Sequence, residues 1–187
     1  NNHEIIIIDD GSTDGSGELL KNYDYVKIID YKVNKGKGYA IKKGLATASN
    51  EKIIIFDGDM ELNPEEIKML MILDREKGIN SVMGSRYQNI NPIKSLFDCG
   101  NFMFTTLFNL SFKSHHKDIL CCAKSFYINQ IDTHKLKSCG FDIDVELASF
   151  ITIKSRGRRI NQVFLNYKRR NIDEGKKLKI SDGWFIL

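Results

Sequence analysis

Two runs in this chain are continuously apolar, dominated by isoleucine, and each breaks off at a pair of carboxylates. Glu4-Ile5-Ile6-Ile7-Ile8 ends at Asp9-Asp10-Gly11, and Lys52-Ile53-Ile54-Ile55-Phe56 ends at Asp57-Gly58-Asp59. β-Branched side chains are stiff at χ1 and suit a pleated backbone. A run without polar alternation has no face to give to water, so it belongs in a sheet covered on both sides. The segments between such runs carry helix signals. Ser12-Thr13-Asp14 offers capping oxygens for a helix to about Tyr23. Val26–Ile29 reads as a strand, Asn34–Gly38 as a loop and Tyr39–Ala48 as a helix. Asn63-Pro64-Glu65-Glu66 opens a helix to about Lys77, with proline near its first position and acids in its first turn. Ser81–Ser85 is the next strand. Beyond it the pattern predicts helices over about 94–112 and 144–155, strands over 123–128 and 160–167, and a basic loop from Lys168 to Lys179. Phe97, Phe104 and Phe108 share one helical face, which reads as core packing rather than a lipid groove. Strands alternating with helices specify an α/β fold, a mostly parallel sheet flanked by helices.

The length, 187 residues, suits a single domain over 1–187. Lys plus Arg is 28 and Asp plus Glu is 24, a net charge of +4. That is too weak to point to nucleic acid, but it suits an anionic ligand or an anionic membrane surface. Cys99, Cys121, Cys122 and Cys139 form no CxxC pair, and adjacent cysteines make strained disulfides, so reduced thiols in a cytosolic setting are expected. No spaced zinc-ligand set is visible, and no apolar run reaches the roughly 18 residues of a membrane span. The chain opens without Met and closes on Trp184-Phe185-Ile186-Leu187, and so reads as a piece cut at both ends.

Ligands of open α/β sheets bind beyond the carboxyl ends of the strands, where both acidic pairs fall. Asp57 and Asp59, with Glu61 at the same spacing, make an oxygen-only set suited to a hard divalent cation; a solvated acidic turn is the alternative. Other motifs fail. Asp10-x-Ser12-x-Asp14-Gly15 has Lys21 where a calcium loop needs Glu. Gly36-Lys37-Gly38 lacks both P-loop and dinucleotide-loop spacing, although before a helix it still suits an anion.

Taken together the motifs resemble those of GT-A glycosyltransferases of family two. Ile7-Ile8-Asp9-Asp10-Gly11-Ser12-Thr13-Asp14-Gly15-Ser16 is similar to the family's "VVDDGSTDGS", and Asn34-x-Gly36-Lys37-Gly38-x-Ala40 to its "N-x-G-K-G-x-A". Phe56–Glu61 resembles the D-x-D region and Gly84-Ser85-Arg86 the "GSR" strand end. Asp118…Cys122–Phe126, Gly140–Leu147, Tyr167-x-x-Arg170 and Glu174–Leu178 resemble the branch of dolichyl- and polyprenyl-phosphate mannosyl- or glucosyltransferases. Ala123 stands where that branch has Gly and Lys176 where it has Ser, and the family's "P-A-Y-N-E" strand is expected before Asn1.

The resemblance implies a Rossmann-like GT-A domain and an inverting transfer from a nucleotide-diphosphate sugar to a polyprenyl phosphate. It implies Mg²⁺ or Mn²⁺ on Asp57, Asp59 and Glu61, and nucleotide-sugar contacts from Asp9, Asp10, Ser12, Lys37, Asp57 and Arg86. Lys124, Arg170 and Lys177 would hold the acceptor phosphate, and Asp144 or Glu146 would act with Asp59 in catalysis. The cytoplasmic face of a membrane is the expected location, and no nucleic-acid partner is expected. Two other readings stand beside this one: a family-two enzyme extending a glycan at a hydroxyl, and a non-catalytic nucleotide-sugar-binding domain.

Overall fold

A computed structural model describes residues 3–88, 91–156, 158 and 160–170. Six strands and four α-helices follow one another along them. β1 (Ile6–Asp9), α1 (Ser16–Leu20), β2 (Lys27–Asp30), α2 (Lys37–Thr47) and β3 (Lys52–Ile55) come first. A 3₁₀ segment (Pro64–Leu70), β4 (Ser81–Ser85), α3 (Leu96–Phe112), β5 (Lys124–Tyr127), α4 (Ile143–Ser155) and β6 (Asn161–Phe164) complete the order. β1 and β2 pair in parallel, with Ile7 opposite Ile28. The other strands form one sheet in the order β3-β5-β4-β6. β6 runs parallel to β4, while β5 lies antiparallel between β3 and β4. The α/β layering matches expectation, and the reversed β5 makes the sheet mixed.

Burial on both faces explains the apolar runs. Side chains alternate across a strand, so neighbours in β4 and β5 serve different cores. Met83 and Phe126 pack with Phe108 of α3 and Leu147 and Ile151 of α4. Val82 and Tyr127 pack on the opposite side with Leu70, Leu73 and Leu165. Phe108 is buried and Phe97 and Phe104 are half-buried, so the aromatic stripe of α3 faces inward as expected.

Two expected helices are cut short. α1 begins only at Ser16, because Gly11 and Gly15 take positive φ and the Ser12 amide donates to Asp9 Oδ1 instead of starting a turn. The helix expected from Asn63 to Lys77 is a 3₁₀ segment that stops at Leu70. Asn63 caps it as its sequence suggests, accepting from the Glu65 amide. Farther on, the Asp74 carboxylate accepts from the amides of Glu76 and Lys77, a local bond that competes with helix continuation. Among the described residues no helix is long and apolar enough to cross a membrane. All four cysteines are free thiols.

One buried group gives the fold a pH dependence. His116 sits between α3 and α4, with Nε2 2.8 Å from Thr152 Oγ1 and its ring edge-on to Phe108. Burial, with the Lys124 and His115 charges, pushes its pKa down from 6.5 to about 4. Between those values the unfolded chain binds a proton that the folded chain does not, so stability falls as pH drops from 6.5 toward 4. The expected loss is about 2 kcal/mol by about pH 5, measured as a falling melting temperature. His116→Gln should flatten that slope, and an unchanged slope would assign the proton uptake to another group.

Candidate active site

The loop that follows β1 is tied to the loop before α2. Both Asp10 carboxylate oxygens accept backbone amides, Oδ1 from Lys35 and Oδ2 from Gly36, each at 2.8 Å. Asn34 returns a bond to the Asp10 carbonyl. Asp9 is buried and its Oδ1 holds the Ser12 amide at 2.8 Å, while Ser12 itself is exposed. The start of α2 then presses on the loop before α4, and the Gly38 amide donates to the Cys139 carbonyl at 2.8 Å. A Cβ on Gly36 would lie 2.4 Å from the Cys139 oxygen, and one on Gly38 2.5 Å from the Ser138 oxygen. Gly36 also has φ +93, a conformation that side chains resist. The two glycines therefore let the backbones meet, and Lys37 between them is delivered to a fixed place.

That place lies between two carboxylates. Lys37 Nζ is 2.8 Å from Asp57 Oδ2, just past β3, and 2.8 Å from Asp144 Oδ2, in the first turn of α4. Asp144 Oδ1 lies 3.3 Å from Lys124 Nζ, which also donates to the Cys121 carbonyl. The charges alternate inward from Asp57, whose side chain is 34% exposed, to Lys124 at 0%. Burial works against the Lys37 ammonium, but Asp144 and Asp57 outweigh it and hold its pKa well above the usual lysine range. Burial likewise opposes ionisation of Asp144, yet Lys37 and Lys124 hold its carboxyl below the usual range.

A second cluster lies farther along the loop after β3. Asp59 Oδ1 accepts the Glu61 amide at 3.0 Å, with Met60 between them at φ 62. A left-handed conformation is uncommon for a residue with a side chain and marks a constrained turn. Arg170 closes this turn: Nη2 is 2.9 Å from Asp59 Oδ2, and its backbone amide donates to Glu61 Oε1 at 3.0 Å. An antiparallel bridge between Leu62 and Tyr167 brings the two segments together.

Arg86 serves a third cluster. Its Nε and Nη2 grip Asp118 Oδ2 and Oδ1 at 2.8 and 2.9 Å, and its backbone amide adds a bond to Oδ2. Asn101 of α3 donates to the same carboxylate. Burial opposes the charge on Asp118, but Arg86 outweighs it and keeps the carboxyl low.

Several expected roles change with this geometry. Lys124 cannot meet a phosphate, because it is wholly enclosed and neutralises Asp144. The fork of Arg86 is turned onto Asp118 rather than toward the carboxylates at the strand ends. Arg86→Lys is therefore expected to act on stability, by roughly 1–3 kcal/mol, since a point charge cannot satisfy both Asp118 oxygens; a thermal melt unchanged from wild type would return Arg86 to a ligand role. Glu146 holds the amides of Lys137 and Ser138, which shapes the loop under α2. Asp57 faces Lys37 while Asp59 and Glu61 face Arg170, and no group of three metal-ligating side chains converges among the described residues. Lys177 lies outside the described residues. The pairing of Lys37 with two carboxylates was not anticipated; the glycines on either side of it were the signal.

Comparison with solved structures places this architecture. Glucosyl-3-phosphoglycerate synthase of Mycobacterium tuberculosis superposes with a TM-score of 0.69 over 91% of this chain and 63% of its own, at 19% identity, and so shares the GT-A fold. Among curated proteins, human dolichyl-phosphate beta-glucosyltransferase is 25% identical over 82% of this chain and 46% of its own length. A dolichyl-phosphate beta-glucosyltransferase of Trichomonas vaginalis is 29% identical over 95% of this chain and 57% of its own. The poly-beta-1,6-N-acetyl-D-glucosamine synthase of Staphylococcus epidermidis is 38% identical over 48% of this chain and 23% of its own. The chain thus spans a quarter to somewhat over half the length of these relatives. The profile of glycosyl transferase family 2 matches residues 1–132, which run from β1 through β5, and the chain belongs to that family.

Proposed function

We propose that this chain carries the catalytic domain of an inverting glycosyltransferase that moves a sugar from a nucleotide-diphosphate sugar to a polyprenyl phosphate of the dolichyl type. The observation that carries the choice of acceptor is electrostatic. Of the two carboxylates expected as general base, Asp144 is paired with Lys37 and Lys124, and Glu146 holds the amides of Lys137 and Ser138. Lys37 and Lys124 hold the Asp144 carboxyl below the usual range despite its burial, so it is a poor proton acceptor. A hydroxyl acceptor needs a general base, whereas a phosphate monoester is already charged near neutral pH and needs only positioning. The relatives that align along most of the chain are named for transfer to dolichyl phosphate, which supports the same reading.

In this reading Asp9 and Asp10 frame the nucleotide side and fix the loop that carries Lys37. Lys37 faces the donor through Asp57. Asp59 and Glu61 supply an oxygen-only pair, which fits Mg²⁺ or Mn²⁺ completed by water and diphosphate oxygens. Such an ion would stabilise the charge that grows on the leaving diphosphate. A solved GT-A neighbour holds Mn²⁺ with uridine-diphosphate-glucose, which supports a metal-assisted donor site here. Arg170 releases Asp59 as the donor enters and turns its charge to phosphate. The setting is the cytoplasmic face of a membrane.

The test is transfer of labelled sugar from a panel of nucleotide sugars to a short-chain polyprenyl phosphate, with an oligosaccharide as rival acceptor. The expected product is a lipid-linked sugar of inverted configuration. Transfer to the oligosaccharide alone would assign the chain to glycan extension, and donor binding without turnover would make it a binding domain.

A further inference from the structure

The segment from Asn166 to Arg170 is held from two sides. Its side chains alternate, as they do along extended backbone. Asn166 reaches Glu66 and Arg170 reaches Asp59, both in the stretch that follows β3. The backbone ties to the same stretch: the Lys168 amide donates to the Glu61 carbonyl at 2.8 Å and the Arg170 amide to Glu61 Oε1 at 3.0 Å. Tyr167 and Arg169 turn the other way. The Tyr167 ring lies 6.5 Å from that of Tyr87, and the Arg169 guanidinium enters the start of α3.

The two sides are unequal. The Arg170 and Asp59 side chains are 31 and 29% exposed, and pairs so open to water hold weakly. The contacts of Arg169 lie deeper. Asp98, in the first turn of α3, has a side chain only 5% exposed; its Oδ1 accepts from Arg169 Nη2 at 3.1 Å and from the Tyr87 hydroxyl at 2.7 Å. Arg169 Nη1 donates to Ser95 Oγ at 3.0 Å and Nε to the Tyr167 hydroxyl at 3.3 Å, so each guanidinium nitrogen has a partner. Ser95 in turn donates to Asp98 Oδ2 and caps α3 by accepting the Asp98 amide. Burial opposes the charge on Asp98, but the Ser95 and Tyr87 hydroxyls, with Arg169, hold its carboxyl below the usual range. Asp98 is the only charged residue in α3, and it is spent on this contact. Charge-assisted bonds in a buried cluster are the strong ones, so the segment is anchored at Arg169 and merely rests at Arg170.

We infer that Asp98 and Arg169 are positioning residues: they form a buried latch that fixes the segment and so holds Arg170 against Asp59 and Glu61, closing those carboxylates in the free chain. Asp98 and Arg169 bond each other rather than Asp59 or Glu61, so they act through Arg170. With the backbone pinned at residue 169, the Arg170 side chain returns to the same carboxylates each time it leaves them. That Asp59 and Glu61 receive a divalent cation rests on the function proposed above; the latch itself rests on the contacts alone.

The experiment uses Asp98→Asn, which keeps the size and loses the charge, and Arg169→Lys, which keeps the charge and loses the fork. Each is made alone and with Arg170→Ala. Hydrogen exchange at the Lys168 and Arg170 amides should quicken by about tenfold in both single variants, as expected when a charge-assisted anchor is lost from a local opening unit. Mn²⁺ binding without donor should tighten by about threefold, because apparent affinity follows the fraction of sites left open. With Arg170→Ala already in place, neither variant should tighten it further. The sign is informative for Asp98→Asn, since loss of a negative charge acting through space alone would weaken cation binding. Wild-type exchange at the two amides in both variants would overturn the latch. Faster exchange spread equally over α3 and β4 would overturn it too, making Asp98 a general support of the fold. Faster local exchange with unchanged Mn²⁺ affinity, in a chain where Arg170→Ala tightens it, would overturn the control of Arg170. Faster local exchange in a chain whose Mn²⁺ affinity responds to no Asp59 or Arg170 variant would strike the cation reading of the site and leave the latch standing.

Discussion

Asp144→Ala is expected to cost about 3–5 kcal/mol of stability and to lower the melting temperature by roughly ten degrees. The reason is Lys124. Its side chain has no exposure, and among the described residues Asp144 is its ion-pair partner. Removing that carboxylate leaves the buried Lys124 ammonium uncompensated and Lys37 with Asp57 alone at the rim. Breaking a buried pair from one side costs far more than deleting both partners, because the remaining charge cannot return to water. Asp144→Asn keeps the size and loses the charge, so it should melt nearly as low as the alanine variant. Asp144→Leu combined with Lys124→Met replaces the pair by apolar volume and should recover much of the loss. The carboxyl is held below its usual 3.8, so this stabilisation is complete above that value and disappears only as pH falls through the lower folded pKa. It should therefore be intact at about pH 5, where His116 already weakens the fold. An alanine variant that melts with the wild type would show that Lys124 has another partner.

The sequence made some parts of this arrangement legible and hid others for physical reasons. β4 was bounded correctly at Ser81–Ser85, and the other strands to within a residue or two for the most part, because period and burial are written into consecutive side chains. The reversal of β5 was invisible: Ala123–Ile128 reads as a buried strand in either direction, and only its pairing with β3 and β4 decides. The 3₁₀ segment defeated a good capping signal because Asp74, downstream, offered the backbone a local partner. Site residues followed the same division. Position at a strand end marked Asp10 and Asp57, which the structure links through Gly36 and Lys37, whereas Asp59 stands in a separate cluster with Arg170. What the residues touch depended on contacts across the fold: Lys124 and Arg86 looked like phosphate-binding cations, but each had a buried carboxylate waiting from another element. A basic residue next to a matched motif says nothing about which way its charge is turned.

Asp59→Ala is expected to lower sugar transfer by about 10²–10³, the cost of losing a group that stabilises charge on the reacting centre. Its effect on folding should be small. The Asp59–Arg170 pair has side chains 29 and 31% exposed, and pairs of that kind contribute about 0–1 kcal/mol. The more informative measurement is cation binding without donor. Arg170 places a positive charge against Asp59 and lies 4.0 Å from Glu61, the two carboxylates proposed to receive Mn²⁺. A guanidinium and a divalent ion at the same carboxylates repel, so the free chain should bind Mn²⁺ weakly. Arg170→Ala removes the competitor and should tighten Mn²⁺ binding in calorimetry, although transfer falls because a phosphate partner is lost. Asp59→Ala should abolish Mn²⁺ binding in either background. These opposite signs separate a cation site guarded by Arg170 from a plain surface ion pair, for which neither variant would change Mn²⁺ affinity. An Asp59→Ala enzyme with full, Mn²⁺-dependent turnover would remove Asp59 from the donor site altogether.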